Sequence, residues 1–196
     1  YDGIYAAGIE EGGHPLNDDV TTMVLTPRIV EAVKIPVVTV GGVANGRTMA
    51  AALALGAEAV MMATRFVATK ECEVHDNIKQ ELIKRQENET TLICKSIGLQ
   101  GRAIRNKVEA AALRFYGKDV LHDLAVEAKG GGLGELIPLI AGKRVKEAWE
   151  TGNVDLAPMM MGQSVGLVKD IPTCRELMLR MAAEAKEEIE RVRKFF

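Results

Sequence analysis

Val37-Val38-Thr39-Val40 is an unbroken run dominated by β-branched side chains, and it stops abruptly at Gly41-Gly42. A strand without polar alternation is buried on both faces, which is the situation of strands in parallel sheets. A second apolar run, residues 58–63, follows an Ala-rich stretch at 47–55 that reads as a helix with Gly56 at its C-terminus. That spacing suits the crossover of a dozen or more residues that parallel strands require. A third run, residues 2–8, comes earlier. Between it and Val37 a helix is expected, with Thr26 as cap, Pro27 at the first helical position, an apolar face of Ile29, Val30, Ala32 and Val33, and a stop before Pro36. The order β-loop-α-β-loop-α-β predicts an α/β fold on a parallel sheet or barrel.

The loops after these strands carry the chemistry. At Gly41-Gly42-Val43-Ala44-Asn45-Gly46 a strand ends, two glycines allow close backbone approach, and a helix begins, so N–H groups are expected to face an anion. At Met61-Met62-Ala63-Thr64 the next strand ends, and Thr64 offers a backbone N–H and a hydroxyl. Gly-Gly after a strand is by itself an ordinary tight turn. Two donor sets one βα unit apart match the phosphate site after strands seven and eight of β/α barrels. Arg65 either adds positive charge there or pairs with an acid in the wall.

The first strand is followed by Glu10-Glu11-Gly12-Gly13-His14, which belongs on the same rim. An imidazole there can take a proton beside an electron-withdrawing group, its ordinary pKa being near neutral, or it is simply a loop residue in solvent. Adjacent carboxylates in a loop rarely converge, so Glu10 and Glu11 read as loop anchors or solvated charges. Met159-Met160-Met161-Gly162-Gln163 reads as adaptable core filler, with a ligand-facing role for the loop as the alternative. His75 and His122 lie in charged helical sequence and read as surface residues.

From Lys70 the texture changes. Residues 73–86 form a charged amphipathic helix, and residues 90–113 are mixed, with Arg102, Arg105 and Lys107 around Asn106. Residues 129–134 read as a flexible joint and 142–149 as a helix. Residues 174–196 read as a long charged helix with Leu177, Met181, Ala185 and Ile189 on one stripe. Three regions result: 1–69, the sheet; 70–150, a mostly helical insertion or lid; and 151–196, a return loop and terminal helix.

Net charge excludes some partners. Lys and Arg number 25 against 27 Asp and Glu, a formal charge of −2, which supplies no basic stripe for nucleic acid. Cys72, Cys94 and Cys174 are far apart and show no metal-ligand spacing, so no metal site is expected. The apolar runs are too short for a membrane span, and a cytoplasmic location is the expectation. The chain opens on Tyr1 and runs straight into a strand, as a piece of a longer protein would.

Several of these segments together resemble the nitronate monooxygenase family, formerly called 2-nitropropane dioxygenases. They are Gly12-Gly13-His14, residues 26–33, Ile35-Pro36-Val37, residues 41–46, residues 51–57 and Thr64-Arg65-Phe66. Thr69-Lys70-Glu71-Cys72, residues 102–107, Met161-Gly162-Gln163 and Gly166-Leu167-Val168 extend the resemblance over most of the chain. The superfamily includes flavin-dependent enoyl-acyl-carrier-protein reductases. The resemblance implies a TIM-type (β/α)8 barrel carrying FMN, with an insertion after the last strand and a final helix returning to the barrel. Residues 2–8, 37–40 and 58–63 would be strands six, seven and eight. The N-terminal barrel half would then come from preceding sequence or from a partner chain.

By the same resemblance Gly12, Gly13, Gly41, Gly42, Met61, Met62, Ala63 and Thr64 hold FMN, and His14 is the catalytic residue. Ala7 departs from a frequent Gln, Pro15-Leu16 from a small residue and Gly, and Ala63 from Gly. The last change costs little if the φ of Ala63 is negative. The implied activity is oxidation of nitronates or nitroalkanes with oxygen. The alternative is NAD(P)H-dependent reduction of an enoyl thioester, with the 102–107 segment meeting phosphates of a carrier or nucleotide. A third reading is a non-catalytic fragment or scaffold. Homodimerisation is left open.

Overall fold

The computed structural model describes residues 1–16, 18–95, 100–108, 138 and 141–196. Three parallel strands, β1 (Ile4–Ala7), β2 (Val37–Val40) and β3 (Ala59–Met61), lie side by side in chain order. Ile4 pairs with Val37 and Ala7 with Val40, while Val38 pairs with Ala59 and Val40 with Met61. The crossovers are α1 (Thr22–Ala32) and α2 (Gly46–Ala54). The α/β order expected from the apolar runs is the order found, with β2 matching its run and β1 and β3 shorter than theirs.

Because side chains alternate along a strand, this register divides the sheet into two faces. Ala6, Val37 and Thr39 are buried on the face under α1, where the hydroxyls of Thr39 and Thr26 meet at 3.0 Å. Tyr5, Val38, Val40, Ala59 and Met61 share the other face. Tyr5 is 62% exposed and Met61 46%, and among the described residues no element covers them. A parallel sheet normally buries both faces, so this one has an apolar side still to be covered.

Helix α1 begins at Thr22 rather than at Pro27. The cap comes from twelve residues upstream, where the Glu10 carboxylate accepts the Thr22 N–H at 2.9 and 3.0 Å and its hydroxyl at 3.1 Å. Thr26 is therefore a buried mid-helix residue, and Pro27 sits inside the helix at the loss of one backbone hydrogen bond. Helix α2 follows local rules. Asn45 caps it and forms a reciprocal capping box with Thr48.

After β3 come α3 (Thr64–Val67), α4 (Asp76–Lys84), β4 (Thr90–Ile93) and β5 (Gly101–Ile104). They are followed by α5 (Gly142–Thr151), a 3₁₀ turn (Gln163–Leu167) and α6 (Cys174–Arg193). Strands β4 and β5 pair antiparallel, Thr90 with Ile104 and Ile93 with Gly101, so the mostly helical insertion also contains a small sheet. The expected joint at 129–134 and His122 lie outside the described residues.

The insertion has its own core, in which Ile78 and Leu82 of α4 meet Ile104, Ala148, Met159, Met161, Val165 and Val168. Met159 and Met161 are fully buried, as the core-filler reading expects. A second core joins Val43 and Ala52 to Leu177 and Met181 of α6. Each of those two α6 side chains contributes about 1.5–3 kcal/mol by burial. Ile189, expected on the same stripe, is 50% exposed. Helices α2 and α6 approach so closely at Gly46 that a Cβ there would lie 2.5 Å from the Ala185 nitrogen.

The chain leaves the sheet and returns to it at one place. The Lys70 N–H donates to the Pro172 carbonyl at 2.9 Å, and the Cys174 N–H to both Glu71 carboxylate oxygens at 2.9 Å. No helix among the described residues is long and apolar enough to cross a membrane.

Candidate functional site

The loop after β1 is locked to its surroundings. Gly8 N–H donates to the Val40 carbonyl at 3.0 Å, and a Cβ on Gly41 (φ +95°) would lie 2.9 Å from the Glu11 nitrogen. A Cβ on Gly12 would lie 2.5 Å from the Gly162 nitrogen, so this glycine lets two backbones touch. Gly13 faces open space, with a φ of +90° that favours glycine. It exchanges both backbone hydrogen bonds with Arg102, at 3.2 and 2.6 Å. The glycines expected around a cofactor here thus have packing duties of their own.

At the ends of β2 and β3 the situation is the opposite. The backbone N–H groups of Gly42, Ala63 and Thr64 have no partner among the described residues, while that of Gly41 belongs to the β2–β3 ladder, where the Val40–Met61 pairing directs it to the Met61 carbonyl. The following helix start, expected to offer N–H groups as well, is already served. Ala44 and Asn45 donate to the Thr48 hydroxyl at 3.0 and 3.2 Å, and Gly46 donates to the Glu184 carboxylate at 2.8 Å. The available donors therefore belong to the strand-end turns and not to the helix itself.

The other residues at the end of β3 divide by role. The Thr64 hydroxyl accepts the Gly162 N–H at 2.9 Å and so anchors the return loop. Ala63 has a φ of −107°, which makes its replacement of glycine inexpensive. Met62 packs into the α2–α6 core, whereas Met61 lies on the open face.

Arg65 is an ion-pair partner in the wall. It is 2% exposed, and its guanidinium holds Asp170 Oδ1 at 2.6 Å and the Asp170 carbonyl at 3.1 Å. Burial pulls its pKa down, against the pull of Asp170. Arg180 binds the same carboxylate at 2.6 Å, and with Arg65 it holds Asp170 below its ordinary value. Arg180 also reaches Glu184 at 4.0 Å. The series Arg65, Asp170, Arg180, Glu184 and the Gly46 N–H ties the end of β3 to the start of α2 through α6. It lines a polar cavity of about 360 Å³.

His14 is exposed, and no described residue hydrogen-bonds to it. Glu10 is the loop anchor it was expected to be, and burial pushes the Glu11 carboxyl up. His75 is a surface residue whose Nδ1 accepts the Asn77 N–H at 3.1 Å, capping α4. The 102–107 segment is not a basic patch. Arg102 is 6% exposed and donates to the Ile9 carbonyl and the Thr90 hydroxyl, whereas Lys107 pairs with Asp155 at 2.8 Å.

Sequence reasoning missed Glu184 and Gln100, and it read Arg102 as part of a basic cluster where the structure buries it against the β1 loop. Glu184 had a signal, since it stands three residues after Met181 and one before Ala185, beside the buried stripe of α6. Among the described residues no group of three His, Cys, Asp or Glu side chains could hold a metal ion.

The chain is similar to known proteins in sequence and in fold. A dehydrogenase of Rhodococcus jostii, named for a hydroxy-methyl-oxo-octahydroindene carboxyl-CoA, is 33% identical over 96% of this chain and 60% of its own length. A nitronate monooxygenase of Paraburkholderia phytofirmans is 28% identical over 99% of this chain and 52% of its own. The structure of FabK from Thermotoga maritima superposes with a TM-score of 0.86 at 32% identity, covering all of this chain and 58% of that one. The chain thus spans between half and three fifths of these relatives. The family model described as nitronate monooxygenase matches residues 1–184, and the chain belongs to the nitronate monooxygenase family.

Proposed function

We propose that this chain carries the phosphate-binding end and the proton-transferring histidine of an FMN-dependent oxidoreductase. The observation that supports it most is the set of unpartnered N–H groups on Gly42, Ala63 and Thr64, beside Gly41 at the ends of two adjacent parallel strands. Backbone donors converging in this way suit a phosphate. The flavin, when bound, supplies the two-electron chemistry. The protein binds and orients, with Gly12 and Thr64 seating the 161–163 loop against the strand ends. His14, exposed on the rim, accepts or returns a proton at the substrate carbon beside its electron-withdrawing group.

Complete activity also needs cover for the open face bearing Tyr5, Val38 and Met61. We assign that cover to the rest of a barrel, with β1, β2 and β3 as strands six, seven and eight. It comes from preceding sequence or from a partner chain. Within this reading residues 1–69 belong to the barrel, 70–150 to a lid region and 151–196 to the return.

Two substrate classes follow. Oxidation of nitronates with oxygen is the family reading. Reduction of an enoyl thioester with NAD(P)H as the reductant is the second reading, and the CoA-ester dehydrogenase relative, 33% identical against 28% for the nitronate monooxygenase one, supports an acyl-thioester substrate. The test is made on full-length protein. A flavin absorption band with oxygen uptake on a nitronate, in the absence of NAD(P)H, supports the first. NAD(P)H-dependent turnover of a crotonyl thioester supports the second. Loss of either activity in His14→Asn, with the flavin band retained, supports the histidine's role. A colourless full-length protein that takes up no FMN would refute the cofactor reading and leave a scaffold.

A further inference from the structure

Strand β5, in the insertion, reaches across to the loop that carries His14. Arg102 exchanges both backbone hydrogen bonds with Gly13, at 3.2 and 2.6 Å, and its Nε donates to the Ile9 carbonyl at 2.8 Å. Gln100 Nε2 donates to the Leu16 carbonyl at 2.9 Å. Farther along the loop, Lys95 pairs with Asp19 at 3.2 Å. The backbone is gripped before, beside and after His14. Because no described residue hydrogen-bonds the imidazole itself, its placement depends on that grip.

Both gripping side chains are unfavourable where they lie. Gln100 is 3% exposed, and its Oε1 has no hydrogen-bond partner among the described residues. Arg102 is 6% exposed, and its side-chain hydrogen bonds end on a carbonyl and a hydroxyl, with Glu10 and Asp19 acting only through space. A buried amide oxygen left unsatisfied, and a buried guanidinium without a carboxylate in contact, are each worse than an apolar side chain of similar size. Their neighbours on β5, Ala103 and Ile104, are apolar and fully buried. A strand that only had to complete a core would be apolar at positions 100 and 102 as well.

We propose that Gln100 and Arg102 are positioning residues, which fix the loop so that His14 meets the substrate in the orientation proton transfer needs. This rests on the reading of His14 as the proton-transferring group. The insertion then governs chemistry on the sheet without touching the reacting atoms.

The test compares Gln100→Leu, Arg102→Met, Arg102→Lys and His14→Ala in flavin-loaded full-length protein. Gln100→Leu is expected to unfold at the same temperature as the parent or higher, since it removes an unsatisfied oxygen. Its kcat is expected to fall about tenfold or more, with KM and flavin content unchanged. Amide exchange over residues 11–16 should speed up in Gln100→Leu and Arg102→Met, and Arg102→Lys should recover part of both effects. Unchanged kcat, or unchanged exchange, in Gln100→Leu and Arg102→Met would overturn the proposal. Full turnover in His14→Ala would refute the role of His14 separately. Exchange would still report whether β5 orders the loop.

Discussion

The end of β1 and the ends of β2 and β3 face the same rim, yet they are built on opposite principles. After β1 the loop is saturated: Glu10 caps α1, Gly12 lies against Gly162, Gly13 bridges to Arg102, and Leu16 is held by Gln100. After β2 and β3 three backbone donors, on Gly42, Ala63 and Thr64, have no partner among the described residues, and their surroundings are stiffened from behind by α6. One region commits its hydrogen bonds to fixing a loop, and the other leaves donors that, in the function proposed above, receive a ligand. Glycine serves both, so a glycine-rich strand end does not by itself identify a binding loop.

Substitutions can break this contrast. Gly12→Ala places a Cβ against backbone on both sides and is expected to cost about 3 kcal/mol in urea unfolding. Gly13→Ala meets open space and pays only for its left-handed φ, about 1–2 kcal/mol. Equal losses would show that the β1 loop is not packed as described. Thr64→Val strands the buried Gly162 N–H and should cost about 1–2 kcal/mol, with Thr64→Ser restoring most of it.

Asp170→Asn weakens the hold on Arg65, by about 1 kcal/mol once the exposure of the carboxylate is allowed for. It also has a pH signature. The folded-state pKa of Asp170 is depressed, chiefly by the Arg180 hydrogen bond, so its contribution is complete above the ordinary value of 3.8 and is lost as pH falls through the lower folded value. The variant's stability should therefore fall less steeply below about pH 4 than the parent's. Smallest of all, Lys107→Ala removes an exposed ion pair and should leave both the melting temperature and flavin content unchanged.

The sheet was legible because its signals are local: β-branched runs, glycine stops and a capping box written within four residues at Asn45 and Thr48. What escaped was set at long range. The start of α1 was placed at Pro27 because the Glu10 carboxylate that caps Thr22 stands twelve residues upstream, at the far end of the β1–α1 loop. Strands β4 and β5 are four residues each, and Ile104 of β5 is buried against α4 and Met159 and Met161, far away in sequence. Arg102 inside a strand reads as surface charge until Ile9 and Thr90 are seen around it. At the candidate site the glycines and Thr64 were named by position, while the packing duties of Gly12 and Thr64 come from their contact with Gly162, 98 residues from Thr64 and farther still from Gly12.

The junction at Lys70-Glu71 and Pro172-Thr173-Cys174 has an evolutionary side. Departure and return are stitched together there, so residues 72–171 form one closed excursion from the sheet. Closing a loop of that size costs only about 0.6 kcal/mol more for each doubling of its length. The excursion can therefore lengthen, shorten or be exchanged with little effect on the sheet's own stability. What an exchange must preserve is narrower: a strand that can still grip Gly13 and Leu16, and a backbone turn that fits against Gly12.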